Sequence, residues 1–391
     1  MKAGWLKLLF INISLTLGIV FSLNFLIALV DFVLSTAGGA FNGTASLEVD
    51  PRASLRNYSD NPDLALQHFQ EFEALETDYQ SFVEWSRQPF AGTTITINEV
   101  GDRVHTGAPS VTQSDTDVYF FGGSTVWGTG VLDDQTIPAH FQDLSQLATT
   151  NKGETAYVSR QSLNSFINLL ASNPNLDTVV FYEGVNDVQY HCRADIGVFD
   201  HARITRFQKA IAADSEETAD RLLSPTAKFL SYLDVLFLRE IRRVAVDIGE
   251  AIAPEREAER IDKSLICDDS PELAEQVAQS LLLNWETAHQ IAQARGVQLI
   301  AVLQPVSYLD DSPVDHIELD AELGKQYKAV YPIVQQLIQA SDKPWIWDYT
   351  DVFDTNEYVY IDFCHLSENG NRLVAERLNR DLQQLELGPP S

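Results

Sequence analysis

The chain has 391 residues, with 56 Asp and Glu against 27 Lys and Arg and a net charge of −29. That balance excludes a nucleic-acid binder, whose partner's phosphates demand a basic surface, and argues against lying flat on anionic lipid. A hydrophobic content of 45% leaves room for a sizeable core, in one large domain with additions or two small ones.

Lys2 and Lys7 precede an uncharged stretch from Leu8 to Val30, closed by Asp31. As a helix this stretch would span roughly 34 Å, enough to cross a bilayer. With the basic residues in front, residues 1–35 are expected to form a cytoplasmic tip and a transmembrane anchor. The rest would then lie outside the cytoplasm, periplasmic or extracellular. A cleaved signal peptide is the rival reading, since small residues run from Ser35 to Ala40. Its apolar core, however, is ordinarily about 7–15 residues, shorter than this one.

Residues 36–115 read as a linker and a flank. Asn61-Pro62-Asp63 predicts a helix start, and Leu64, Phe69, Phe72, Leu75, Tyr79 and Phe82 recur mostly at three to four residues. Trp85 and Pro89 close that pattern, and Thr93 to Ile97 alternates like a short edge strand. The flank is expected to be scaffolding packed on the main domain.

The main domain is expected over residues 116–391. Val118-Tyr119-Phe120-Phe121 reads as a buried parallel strand, and Gly122-Gly123 permits the tight turn that follows. Ser124 then sits at the carboxyl end of a strand, the edge where open α/β sheets bind ligands. A helical pattern covers Ile137 to Leu147, and a weak second strand leads through Asn151 to Gly153. A helix from about Ser159 to Ala171 ends at Asn173-Pro174. The strongest strand, Thr178 to Tyr182, runs into Glu183-Gly184-Val185-Asn186-Asp187. Residues of about 190–285 interrupt the alternation and read as an inserted helical cap. A helix through Leu281, Trp285 and Ile291 then leads to a fourth strand, Val297 to Leu303. Further on come a helix over about 321–340, a fifth strand at Pro344–Asp348, Asp362-Phe363-Cys364-His365, and a last helix from about Ser367 to Leu385. Strands alternating with helices of this length imply parallel βαβ units, with a sheet covered on both faces.

A lone serine is a weak nucleophile; it needs a base and donors for the oxyanion. Asp362 and His365 are spaced so that a carboxylate can fix the imidazole tautomer and leave the other nitrogen as base. Asn186 and Gly153 follow two other strands at the same edge, offering a side-chain amide and an unshielded backbone N–H. Asp187 is expected to brace its loop, His191 to belong to the cap, and Trp127 either to wall the site or simply to pack. No Cys/His spacing suggests zinc. Cys192, Cys267 and Cys364 allow one disulfide and one thiol. Cys192–Cys267 is the expected pair, tying the cap to the sheet, with Cys192–Cys364 as the alternative.

In order, Gly123-Ser124, Asn151-x-Gly153, Gly184-x-Asn186-Asp187 and Asp362-x-x-His365 resemble the four blocks of the SGNH (GDSL-type) hydrolases. The resemblance covers about residues 116–385 apart from the cap. It implies a three-layer α/β/α sandwich with a five-stranded parallel sheet. It also implies Ser124 as nucleophile, His365 as base, Asp362 as its orienter, and an oxyanion hole from the N–H groups of Ser124 and Gly153 with Asn186. Asn151 to Gln161 is similar to the Asn-x-Gly-x-x-Gly-Tyr-x-Ser-x-Gln form of some members, with Ala156 at the second glycine. Gly123 stands where the name-giving motif has Asp.

The expected activity is a serine esterase without metal or cofactor, acting on small-molecule or carbohydrate esters, acetyl esters of extracellular carbohydrate among them. The alternatives are an O-acyltransferase to polysaccharide hydroxyls and a non-catalytic surface module that binds polysaccharide.

Overall fold

The computed structural model describes residues 11–12, 14–16, 18–29, 50–108, 117–173, 176–211, 263–353 and 355–387. Of the expected span from Leu8 to Val30, residues 8–10, 13, 17 and 30 lie outside these, and the remainder is helical. Among the described residues no helix is long and apolar enough to cross a membrane. Two compact units are present, one of Met1–Glu48 with Thr205–Ile261, the other of Val49–Ile204 with Asp262–Ser391. All that follows concerns the second.

This unit opens with two short 3-10 turns, Pro51–Ser54 and Arg56–Tyr58, and helix α1, Pro62–Glu73. The sequence pattern predicted more helix than this. Beyond Ala74 the chain forms a hairpin of β1 (Thr77–Gln80) and β2 (Glu84–Arg87), and Tyr79 and Phe82 are exposed rather than part of an apolar stripe. A second small hairpin, β3 (Phe90–Ala91) with β4 (Thr96–Ile97), accounts for the expected edge strand.

The α/β part follows the predicted order. It runs β5 (Val118–Gly122), α2 (Ser124–Trp127), α3 (Ile137–Ser145), β6 (Thr149–Asn151), α4 (Ser159–Ser172), β7 (Thr178–Glu183) and α5 (Val185–His191). Then come α6 (Pro271–Arg295), β8 (Gln298–Leu303), α7 (Ala321–Ser341), β9 (Ile346–Asp348) and α8 (Glu368–Leu387). The five strands β5 to β9 pair in parallel in the order β6-β5-β7-β8-β9.

Successive strand residues point to opposite faces, and here both faces are apolar. Tyr119, Phe121, Val179, Phe181, Leu299 and Ala301 pack on one side against α4, α6 and α7, around the fully buried Trp285. Val118, Phe120, Val180, Tyr182, Ile300 and Val302 pack on the other side against α3 and α8. The result is the expected three-layer α/β/α arrangement. Because β5 has β6 on one side and β7 on the other, the chain reverses direction across the sheet there. The crevice between the carboxyl ends of β5 and β7 is the place such sheets reserve for ligands.

The end of the segment read as a cap belongs instead to α6, which packs on the sheet. Residues 212–262 lie outside the described residues, but α6 already begins at Pro271 and covers the sheet. The segments at 192–194 and 264–267 run side by side, with an antiparallel bridge between Arg193 and Leu265. Cys192 and Cys267 form a disulfide at this neck, with Cα atoms 5.1 Å apart, and Cys364 is a buried thiol. The expected pairing holds, and both half-cystines lie in the core cluster that packs on the sheet. For a sequence separation of 75, loop closure in the unfolded chain is worth about 4 kcal/mol. Cys192→Ser with Cys267→Ser should therefore lower stability by about 2–4 kcal/mol in denaturant titration. Non-reducing peptide mapping should find one alkylatable thiol after unfolding; three would refute the pairing.

Candidate active site

Ser124 is the first residue of α2, immediately beyond β5, so its N–H has no acceptor inside the helix and faces the sheet edge. Its Oγ lies 2.7 Å from His365 Nε2, and His365 Nδ1 lies 2.6 Å from Asp362 Oδ2. A carboxylate only accepts hydrogen bonds, so Nδ1 carries the proton and Nε2 presents a lone pair to the serine hydroxyl. Asp362 Oδ1 accepts from the backbone N–H groups of Cys364 at 3.0 Å and His365 at 2.8 Å. Burial alone would raise the Asp362 carboxyl. The facing His365 ring and these N–H groups outweigh it and hold the carboxyl well below the usual range.

Asn186, in the first turn of α5, donates one amide N–H to Tyr157 O at 2.8 Å, leaving the second N–H of that nitrogen for another acceptor. The amide lies against Gly123: a Cβ there would meet Asn186 Nδ2 at 2.3 Å. A side chain at position 123 would therefore need the Asn186 amide to shift. Gly153 is equally constrained, since its Cβ would come within 2.5 Å of Trp127 N. The Gly153 N–H already has an acceptor here. The Gly153 N–H donates to Asn151 Oδ1 at 3.0 Å, because the Asn-x-Gly stretch closes its own turn. It can serve an oxyanion only by sharing that proton.

The remainder of the Asn151–Gln161 stretch is bracing. Tyr157 OH donates to Trp85 O, and Gln161 Nε2 donates to Val83 O at 2.9 Å. Asn164 and Asn168, further along α4, donate to Phe82 O and Ser81 O, so one helix face holds the exposed hairpin tip. Ala156, where the resembling motif has glycine, adopts φ +63°, a left-handed conformation that costs a residue with a Cβ about 1 kcal/mol.

Asp187 is buried and accepts from Ser159 N at 3.1 Å and Ser159 Oγ at 2.5 Å, the bracing role expected of it. His191 differs from its expectation. It is the last residue of α5, fully buried, with Nε2 against Asp200 O at 2.9 Å and Nδ1 4.0 Å from Asp187. Trp127 is packing: it is fully buried, 5.5 Å from Phe72, with the Arg103 guanidinium 4.4 Å over its ring.

Four groups escaped the sequence reading. Buried Arg103 donates to Trp127 O, Gly128 O and Val131 O and pairs with Asp133, clamping the chain that follows the nucleophile. Glu183, the last residue of β7, accepts from Trp285 Nε1 at 2.7 Å. Asp50 and Arg52, from the flank, form a further pair, and Arg52 Nη1 lies 3.3 Å from Asp362 Oδ2. The contacts that bring them to the site, Arg103 to 127–133, Glu183 to Trp285 and Arg52 to Asp362, join residues distant in the chain.

Among the described residues, donor atoms converge closely enough for a metal ion at Asp362, Cys364 and His365, within 4.8 Å. Both His365 nitrogens are already engaged, and burial pushes the Cys364 thiol up, away from the thiolate a metal would need. The donor set suits a proton better than a cation.

No family model and no curated protein matches the sequence. Solved structures to which the chain is similar include a member of the lipolytic protein G-D-S-L family from Veillonella parvula. That match has 13% identity, 68% of this chain and 97% of that one covered, and a TM-score of 0.36. Others are a carbohydrate acetylesterase from Sinorhizobium meliloti (12%, 69% and 99%, 0.35) and an aryl esterase of M. smegmatis (15%, 69% and 99%, 0.35). The roles discussed below rest on this chain's own geometry.

Glu183 generates a prediction of defined sign. Burial raises its carboxyl to about 8, with the neighbouring Asp187 adding to the effect. The folded state then binds a proton that the unfolded state releases above its ordinary value near 4.5. Its contribution to stability is full below that value and is lost as pH rises towards 8. Glu183→Gln should flatten this decline, giving a higher melting temperature than the parent at pH 8–9 and little difference at low pH. Parallel melting profiles for the two proteins across that range would contradict it.

Proposed function

We propose that the protein is a serine esterase of the SGNH (GDSL) type, acting by acyl transfer to water. The observation that carries this is the unbroken Asp362–His365–Ser124 chain, with contacts of 2.6 and 2.7 Å, at the switch point of the sheet.

In this reading His365 Nε2 takes the Ser124 proton as Oγ attacks the ester carbonyl. The resulting imidazolium is held by Asp362. The oxyanion is met by Ser124 N–H at the free end of α2 and by the second N–H of Asn186, with Gly153 N–H as a shared third donor. His365 then returns the proton to the leaving alkoxide. Water attacks the acyl-enzyme with the same histidine as base, and Ser124 regains its proton.

We propose further that the uncharged run from Leu8 to Val30 anchors the chain, as Lys2 and Lys7 before it suggest, with the esterase outside the cytoplasm. The esters within reach there are those of envelope and extracellular carbohydrate, and their acetyl esters are the first substrates to assay.

Ser124→Ala should abolish hydrolysis of short p-nitrophenyl esters and labelling by a fluorophosphonate, with the fold intact by circular dichroism. Asn186→Ala should lower kcat by about 10²–10³-fold, the usual effect of losing one oxyanion donor. Undiminished turnover by the Ser124→Ala protein would end the reading. For the anchor, full-length protein should stay with membranes through a carbonate wash; recovery of a soluble mature chain beginning near residue 40 would show a cleaved signal instead.

A further inference from the structure

The flank carries an arginine aimed at the catalytic carboxylate. Arg52 donates through Nε and Nη2 to Asp50, at 2.8–3.2 Å, and through Nη1 to Asp362 Oδ2 at 3.3 Å. That oxygen is also the one bonded to His365 Nδ1. The guanidinium is partly sheltered, with 23% of the side chain exposed, and lies 4.8 Å over the Phe69 ring.

The segment is fixed where it is. Asn57 Nδ2 donates to Tyr358 O and Tyr360 O, at 2.6 and 3.3 Å, and Tyr58 OH donates to Gly130 O at 2.7 Å. Arg56 stacks 4.8 Å over Tyr358. Residues 50–58 thus grip the loop that carries Asp362 and the chain that follows Ser124. This is more than the scaffolding expected of the flank.

We propose that Arg52, partly neutralised by Asp50, is a positioning residue of the esterase that sets how strongly Asp362 supports a protonated His365. The inference rests on the triad reading above. A fixed cation beside the shared oxygen draws on the same negative charge that must stabilise the imidazolium. It thereby keeps the imidazole available as a base at lower pH. Asp50 opposes this, so the pair Asp50–Arg52 trims the field in both directions.

The other titratable groups facing the pair carry no charge at working pH. Burial pushes the phenols of Tyr58 and Tyr308 (the latter to about 12) and the thiol of Cys364 up, and holds the His68 imidazole down at about 3. The charged side chain bonded to Asp362 from outside its own turn is Arg52, itself paired with Asp50.

The test is the pH dependence of kcat/KM for p-nitrophenyl acetate, measured on the full-length chain in detergent. Arg52→Gln should move the acid limb to higher pH by about 0.5–1 unit, the scale of a half-screened charge several ångströms away. Arg52→Lys, which keeps the charge, should bring the limb back towards the parent position. Asp50→Asn, which leaves Arg52 unopposed, should move it to lower pH. A structural role alone would lower activity or melting temperature without these opposite displacements. Displacement of both limbs in the same direction, or of neither, overturns the proposal; if Arg52→Gln fails to fold, the direction found with Asp50→Asn decides. Ser124→Ala is run alongside. If it keeps activity, the esterase reading fails. If it is inactive while the limbs stay fixed, only the role of Arg52 fails.

Discussion

The site depends on one carboxylate and on where its two oxygens point. Asp362 Oδ1 is held by two N–H groups of its own turn, so Oδ2 has little freedom and must meet His365 Nδ1. That contact fixes the tautomer, and the tautomer decides whether Nε2 can accept from Ser124 at all. The turn is short enough to do this alone, which is why the spacing Asp362-x-x-His365 works. It does not set the charge balance of the pair. The nearest charge from outside that turn, Arg52, comes from the far end of the chain.

The sheet supplies the other half of the geometry. β5 and β7 are adjacent and parallel, so the residues just beyond each of them, Ser124 and Asn186, arrive side by side without any special loop. What remains is close packing. Gly123 lets the Asn186 amide lie against the backbone before the nucleophile, and Gly153 lets the next loop lie against α2. A methyl group at position 153 would meet backbone, and one at 123 would press on the Asn186 amide.

Much of this was legible in the sequence, and the reason is locality. The strands are continuous apolar runs because both of their faces are buried, and Ser124, Asn186, Asp362 and His365 each sit next to an element boundary that the sequence marks. The hairpin at 77–87 was misread because Leu75, Tyr79 and Phe82 happen to keep a helical spacing. Their burial decides otherwise, and side-chain amides from α4 hold the turn instead. The Gly153 N–H was read as unshielded; Asn151 Oδ1, two residues earlier, accepts from it. Arg52 was invisible because its partner is 310 positions away. Glu183 looked like the polar end of a strand until Trp285 was seen to cover it.

The net charge of −29 sets the character of the surface more than that of the site. At physiological salt a charge more than about 8 Å away in solvent is largely screened. The many acidic residues of the surface therefore act weakly on the imidazole of His365. Sheltered groups at bonding distance do not suffer that screening, and here they come as one acid and one base, Asp50 and Arg52, both largely shielded from water. A strongly acidic protein can in this way set an acid and a base side by side next to Asp362. Both lie in the flank, outside the four motif blocks. That separation lets the field at the pair be adjusted by changes at positions that touch neither nucleophile nor oxyanion hole.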